Sequence, residues 1–305
     1  MRIGVLGNEG SWYVNELCHA GRSSGHTVSP LVFPSLNAHN SHQQLQISCG
    51  GESLFDLDVV IVRTMPPGSL ERVVARMDLL RGLEEAGVRL INRPRAIECA
   101  VDKWLTTQKL IQADIPVPTT AVCEDSEAAI AFCEQLGGDV VVKPLFGSEG
   151  RGIIRVDSPD LAWRVFRSLE RIGAVMYLQR FIPGVEGDFR ILMLDGAVIG
   201  SMKRRAPQGD FRSNAAQAGI CLPWTPDELH VELAQRAAAA IDCVFCGVDL
   251  IYDVDGQVKV LEVNAVPGWK ALQKVCDVCI PRRLFHWLDE IHSRSPRVNR
   301  MKNKT

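Results

Sequence analysis

Residues 247–269 read GVDLIYDVDGQVKVLEVNAVPGW. An apolar run, a polar turn at Asp255-Gly256 and a second apolar run predict two antiparallel strands joined as a hairpin. Each strand carries an acid in an otherwise apolar pattern: Asp249 in the first, Glu262 in the second. Side chains alternate with period two along a strand, so Glu262 and Asn264 share a face. Pairing across the turn brings Asp249 near both. Two carboxylates and an amide oxygen are hard donors of the kind Mg²⁺ takes, usually few in number and beside phosphate. The alternative is a strand end that merely carries polar groups. Acids in apolar strands are costly unless paired or metal-bound, which favours the metal reading.

Two segments upstream bear on what such a metal would face. Residues 143–153, KPLFGSEGRGI, place Lys143 before Gly147, Ser148, Gly150 and Gly152. Glycines let successive backbone N–H groups converge on an anion, and lysine adds a point charge. The order is not the G-x-x-x-x-G-K-[ST] phosphate loop. A phosphate cradle and a plain hairpin with a flexible tip both fit it. Residues 204–214, RRAPQGDFRSN, gather three arginines in a loop broken by Pro207 and Gly209. They read as a solvated turn or as an anion cradle.

Elsewhere the first third alternates strand and helix signals, which predicts a parallel sheet with helices on its faces. The expected strands are RIGVLG, HTVSPLVF, DLDVVIVR and VRLINRP; helices are expected near 12–21 and over GSLERVVARMDLLRGLEEAG. Residues 37–53 lack periodicity and read as a surface loop. The glycines of GVLGNEGSW are spaced G-x-x-G-x-x-G, not the dinucleotide fingerprint G-x-G-x-x-G. A helix is expected from Pro94 to about Asp114, carrying Asp102-Lys103. Ser126 reads as the N-cap of the next helix. Further helices are expected near 159–172, 226–240 and 281–292.

The 305 residues carry 34 Lys and Arg against 36 Asp and Glu, so bulk electrostatics give no nucleic-acid footprint. No apolar run approaches the ~20 residues of a membrane span. The N-terminus is too polar after Leu6 for a signal peptide, and ten scattered cysteines suggest reduced thiols in the cytoplasm. Cys243/Cys246 and Cys276/Cys279 have zinc-like spacing, but the first pair lies in an apolar run and reads as buried thiols. No Ser/His/Asp arrangement is legible. Residues 294–305 read as a basic, frayed tail.

Taken in order, five pieces resemble the ATP-grasp superfamily and, within it, the RimK-type glutamate ligases. They are Asp102-Lys103, VVVKPLFGSEGRGI, QRFIPGVEGDFR, KRRAPQGDFRSN, and GVDL followed by LEVNAVPGW, together covering roughly residues 95–270. The resemblance implies an α/β protein with an ATP-grasp fold, two α+β subdomains clasping ATP, after an N-terminal parallel-sheet domain. The expected boundaries are 1–94, 95–184, 185–293 and a tail of 294–305. VNAVPGWKALQ and KPLFGSEGRGI most resemble the branch acting on small coenzymes, tetrahydromethanopterin among them.

The resemblance also implies roles. Lys103 and Lys143 would contact ATP phosphates, and the loop with Gly147, Ser148, Gly150 and Gly152 would fold over them. Gln179, Arg180, Phe181 and Ile182 would form the adenine hinge, Asp188 would hold the ribose, and Arg212, Ser213 and Asn214 would complete the nucleotide and substrate side. Arg190, Lys203, Arg204 and Arg205 are the cations available to an acyl-phosphate intermediate, with Arg205 or Arg190 the preferred contact. One of the adjacent pair Arg204/Arg205 should face outward if the segment is a strand. Asp249, Glu262 and Asn264 would hold one or two Mg²⁺ or Mn²⁺. The implied partners are L-glutamate and a small-molecule carboxylate acceptor, in a homo-oligomer (dimer or tetramer) that engages neither nucleic acid nor membrane. The hinge departs from the family in carrying Gln179-Arg180 where an acid is common. AAQAG after Asn214 departs from the ribosomal-protein-modifying members. A ribosomal-protein tail, a lysine-biosynthesis carrier protein and a nucleotide-binding module without turnover are the alternatives.

Overall fold

A computed structural model describes residues 1–147, 150–184, 186–207 and 219–294. They form two compact units, residues 1–89 with the segment from Val278, and residues 90–277.

In the first unit the expected alternation holds. It comprises β1 (Arg2–Leu6), α1 (Trp12–Ser23), β2 (Thr27–Leu31), β3 (Leu36–Ser41), β4 (Gln44–Cys49), β5 (Glu52–Ser53), β6 (Val59–Val62) and α2 (Leu70–Glu85), and the chain passes to the second unit within β7 (Arg89–Ile91). The main sheet runs β2-β1-β6-β7, and β1 is parallel to β2 and β6. All four residues of β6 are buried, as expected of a parallel strand covered on both faces. The segment 37–53 is not a loop but a three-stranded antiparallel sheet, β3-β4-β5. Its turns use positive φ at consecutive positions, His42 (49°) with Gln43 (62°) and Gly50 (58°) with Gly51 (87°), the geometry of tight hairpins. Periodicity hid it because β3 buries only Leu36 and β4 only Ile47.

The second unit opens with α3 (Pro94–Val101) and α4 (Lys103–Gln112). One helix was expected here. It is broken at Asp102, which is extended at φ −94° and ψ 103° and whose Oδ1 accepts from Trp104 N and Leu105 N, both at 2.9 Å. The cap places Lys103 at the first helical position. Next come β8 (Thr120–Cys123), α5 (Ser126–Gln135), β9 (Val140–Lys143), β10 (Ile154–Val156), α6 (Pro159–Arg171) and β11 (Met176–Arg180). Asp125, not Ser126, caps α5; Ser126 instead donates through N and Oγ to the Glu170 carboxylate at 3.0 and 2.8 Å. The antiparallel sheet β10-β9-β11-β8 packs α5 and α6 on one face through Val140, Val142, Met176, Leu178, Ala129 and Phe166. By alternation Lys143, Tyr177 and Gln179 stand on the other face.

The last sheet of the unit is β14-β13-β12-β15-β16, antiparallel throughout. Its strands are β12 (Asp188–Leu194), β13 (Ala197–Arg205), β14 (Ile220–Pro223), β15 (Phe245–Tyr252) and β16 (Val258–Asn264), with α7 (Glu228–Ala240) between β14 and β15. α7 packs on the face bearing Phe189, where buried His230 meets the Tyr252 hydroxyl at 2.8 Å. Asn92 ties the start of β15 to the end of β16. Its amide donates to Phe245 O and Ala265 O at 2.6 and 2.7 Å and accepts from Val244 N and Phe245 N at 2.9 and 2.8 Å.

The chain then returns to the first unit through α8 (Ile280–Arg294), which buries Ile280, Leu284, Phe285 and Leu288 and packs on α1. Phe285 lies where a Cβ on Gly21 would be, at 2.6 Å. None of the described helices is long and apolar enough to cross a membrane.

Candidate active site

One cleft in the second unit is lined by Lys103, Lys143, Pro144, Gly147, Gly150, Arg151, Ile153, Asp188, Arg204, Asp249, Leu261 and Glu262. The hairpin reading is what the structure shows: Asp249 and Glu262 are direct cross-strand partners on β15 and β16, and Asn264 lies opposite Gly247. The register slips by one residue beyond Asp249, so Leu250 faces Val260 and Leu261 is the extra residue. Such a bulge lets Leu261 and Glu262 both line the cleft.

Asp249 has only 3% of its surface exposed, and its neighbours explain how a charge survives there. Arg190 stands opposite it on β12 and donates twice, at 2.6 Å from Nε and from Nη2. Arg204 Nη2 lies 2.9 Å from Asp249 Oδ2, and Arg204 Nε donates to Asp188 Oδ1 at 2.5 Å. Burial would raise the pKa of Asp249, but Arg190 and Arg204 outweigh it and hold the carboxyl well below the usual carboxylate range. Burial likewise works against the charge of Arg204, and Asp249 and Asp188 more than restore it. Asp188, expected at a ribose, pairs with Arg204 through Oδ1. Gly187, at φ 94°, sits where a Cβ would come 2.0 Å from Arg204 O, so only glycine allows these strand ends to meet.

Alternation sorts the remaining cations. Arg204 is buried on the cleft side, while Lys203 and Arg205 project from the opposite face of β13. Lys203 bonds Glu186 at 2.8 Å and sits 5.1 Å over the Phe189 ring. Arg205 is exposed. Of the four cations expected at a reacting anion, Arg190 and Arg204 stand at the carboxylates and Lys203 and Arg205 do not. Of the two residues expected to contact the acyl phosphate, Arg205 and Arg190, strand parity sets Arg205 on the face away from these carboxylates and Arg190 beside them.

Across the cleft, Lys103 Nζ donates to Gly147 O at 2.9 Å and Lys143 Nζ to Gln179 Oε1 at 2.6 Å. Loss of solvent pushes both lysine pKa values down, and the Glu262 charge opposes that in each case. Gly152, at φ 72°, folds its backbone onto Pro144, where a Cβ would lie 2.9 Å from the ring.

At the hinge Gln179 is buried, Arg180 exposed and Ile182 buried. The amides of Arg180 and Phe181 donate to Thr119 O and Asp139 O at 2.8 and 3.0 Å, so these two N–H groups do not remain for a base. The Phe181 ring is covered by the Arg155 guanidinium at 3.7 Å, itself fixed by Asp139. Trp269 is fully buried against Phe245 and packs rather than facing substrate. Cys243 and Cys246 are buried as well. Ser148, Arg212, Ser213 and Asn214 lie outside the described residues.

The donor set suits a hard divalent ion. The Glu262 side chain is half-buried, 37% exposed, with Arg190 Nη2 3.9 Å from its Oε1. Asn264 Oδ1 accepts from Val266 N at 3.0 Å, which fixes its amide and leaves oxygen capacity over. The arginines occupy Asp249 Oδ1 once and Oδ2 twice, so one lone pair, on Oδ1, is what Asp249 would offer an ion.

Family comparisons follow the same outline. A model of the RimK-like ATP-grasp domain matches residues 100–288, and one of the RimK PreATP-grasp domain matches residues 1–97. The chain belongs to the RimK-like ATP-grasp family. It is 30% identical to a tetrahydromethanopterin:α-L-glutamate ligase of Methanosarcina acetivorans, over 89% of this chain and 93% of that one. It is 31% identical to a probable α-L-glutamate ligase of Xanthomonas oryzae, over 97% and 99%. Among solved structures it resembles the ATP-grasp ligase PsnB complexed with minimal precursor, Mg and ADP (TM-score 0.74, 21% identity, 96% and 98% covered). It also resembles the D-cycloserine synthetase DcsG (TM-score 0.74, 20% identity, 95% and 99% covered). This RimK-like protein is an ATP-dependent ligase.

Proposed function

We propose that this ligase joins the α-amine of L-glutamate to a carboxylate of a small coenzyme, of the class named for the tetrahydromethanopterin:α-L-glutamate ligases, releasing ADP and phosphate. The observation that carries it is the convergence of Lys103, Lys143 and Arg204 with Asp249 and Glu262 on one cleft. In the first step an acceptor carboxylate oxygen bonds to the γ-phosphorus of ATP, and the bond from that phosphorus to ADP breaks. In the second the glutamate amine attacks the acyl carbon, the phosphate leaves, and the nitrogen loses a proton.

Negative charge builds at each stage, and fixed donors in a water-poor site stabilise it most. Lys103 and Lys143 meet the nucleotide phosphates from one side, with Gly147, Gly150 and Gly152 folded over them. Arg190 and Arg204 are the cations nearest the carboxylates, and Arg190 is the preferred contact for the acyl phosphate. Asp249, Glu262 and Asn264 would hold one or two Mg²⁺ or Mn²⁺. When bound, the ion neutralises phosphate oxygens during in-line transfer.

The test is an acceptor screen by mass with ATP, Mg²⁺ and L-glutamate. A glutamyl increment on a pterin or deazaflavin coenzyme, with stoichiometric ADP, is the expected result. An increment only on a ribosomal-protein tail or a carrier protein would move the acceptor class. ATP binding without ADP release across the screen would overturn the ligase reading.

A further inference from the structure

Lys143 and Gln179 lie diagonally across β9 and β11, on the face opposite the apolar contacts with α5 and α6. Gln179 has only 3% of its surface exposed, and a chain of hydroxyls fixes which way its amide points. Thr107 Oγ1 donates to Lys103 O at 2.8 Å, which uses its one proton, so it accepts from the Tyr177 hydroxyl at 2.8 Å. Thr120 Oγ1 donates to Pro118 O at 2.8 Å. Both hydroxyl oxygens beside the Gln179 NH₂, those of Thr120 at 3.3 Å and Tyr177 at 3.5 Å, have therefore given their protons elsewhere and can only accept. The amide NH₂ must face them, and the carbonyl must face Lys143, at 2.6 Å. A flipped amide would set its NH₂ against the ammonium and its carbonyl oxygen against two hydroxyl oxygens that have no proton left to give.

We propose that Gln179 is a positioning residue rather than an adenine contact: its carbonyl aims the Lys143 ammonium into the cleft while leaving the whole positive charge for an anion. A carboxylate of the same shape would hold the lysine in the same place and cancel that charge. The same hydroxyl chain ends on the backbone carbonyl of Lys103, at the first turn of α4. This inference rests on the nucleotide reading of the cleft in the proposed function.

The experiment is isothermal titration of ATP with Mg²⁺ into the full chain, its Gln179→Glu variant and its Gln179→Met variant, with thermal unfolding of each. Gln179→Glu should bind ATP at least tenfold more weakly while unfolding at the native temperature or above, because the new pair strengthens the fold as it neutralises Lys143. Gln179→Met, which removes the acceptor without adding charge, should lose less affinity than Gln179→Glu. Affinity within twofold of native in Gln179→Glu, or a loss seen only with a falling unfolding temperature, would overturn the proposal. Native protein that binds no ATP would overturn the nucleotide reading and this inference with it.

Discussion

At Asp249 two guanidinium groups share one buried carboxylate, and removing that carboxylate leaves both without their main counter-charge. Breaking a buried pair costs about 3–5 kcal/mol. Asp249→Ala is therefore expected to lose about that much stability in urea unfolding as well as activity. Glu262 and Lys143 differ, since Glu262 is partly exposed and Lys143 borders the cleft. Glu262→Ala and Lys143→Ala should abolish ADP release while circular dichroism and unfolding temperature stay near native. The pairing of Asp249 with Glu262 was legible because a short hairpin turn separates them in sequence. The clasp of Arg190 and Arg204 on Asp249 was not, because it depends on which strands neighbour β15. Nor was the inward choice between Arg204 and Arg205, which strand parity decides and no local pattern reports.

Between α3 and α4 the break at Asp102 does two things: it caps α4, and it sets the direction in which Lys103 leaves the helix. Asp102→Ala should cost about 1 kcal/mol, the usual worth of an N-cap, and should raise the KM for ATP. Asp102→Asn should keep most of both, which urea unfolding and initial rates would check. Periodicity alone predicts one helix through this point, because a capping aspartate and a surface aspartate look alike without their backbone. Helices α5 and α6 carry a pH signature. The Ser126 amide, then its hydroxyl, lower the Glu170 pKa, so the unfolded chain binds more protons there than the folded one. That contribution is complete above the unfolded value of about 4.3 and is lost as pH falls through the folded one. Glu170→Gln should therefore show a shallower loss of unfolding temperature below about pH 4.3 than native protein.

Across the molecule, the alternation of strand and helix and the strand-rich later part were readable from periodicity, down to most element positions. The sheet formed by residues 36–53 and the return of α8 to the first unit were not. The former lacks apolar rhythm, and the latter is a long-range packing choice with no local signal. α8 contributes four fully buried apolar side chains, each worth roughly 1.5–3 kcal/mol, a sum comparable with the ~5–15 kcal/mol that holds a whole domain together. A chain shortened to end at Asp277 should be cut by protease within residues 1–89 and resist within 90–277; equal resistance of both would refute this role for the helix. The same connectivity sets a timetable for the chain as it leaves the ribosome. Residues that emerge first wait for their last partner while the whole of the second unit is being translated, so the nascent α1 surface around Gly21 spends that interval uncovered and is a natural client for chaperones that shield newborn chains.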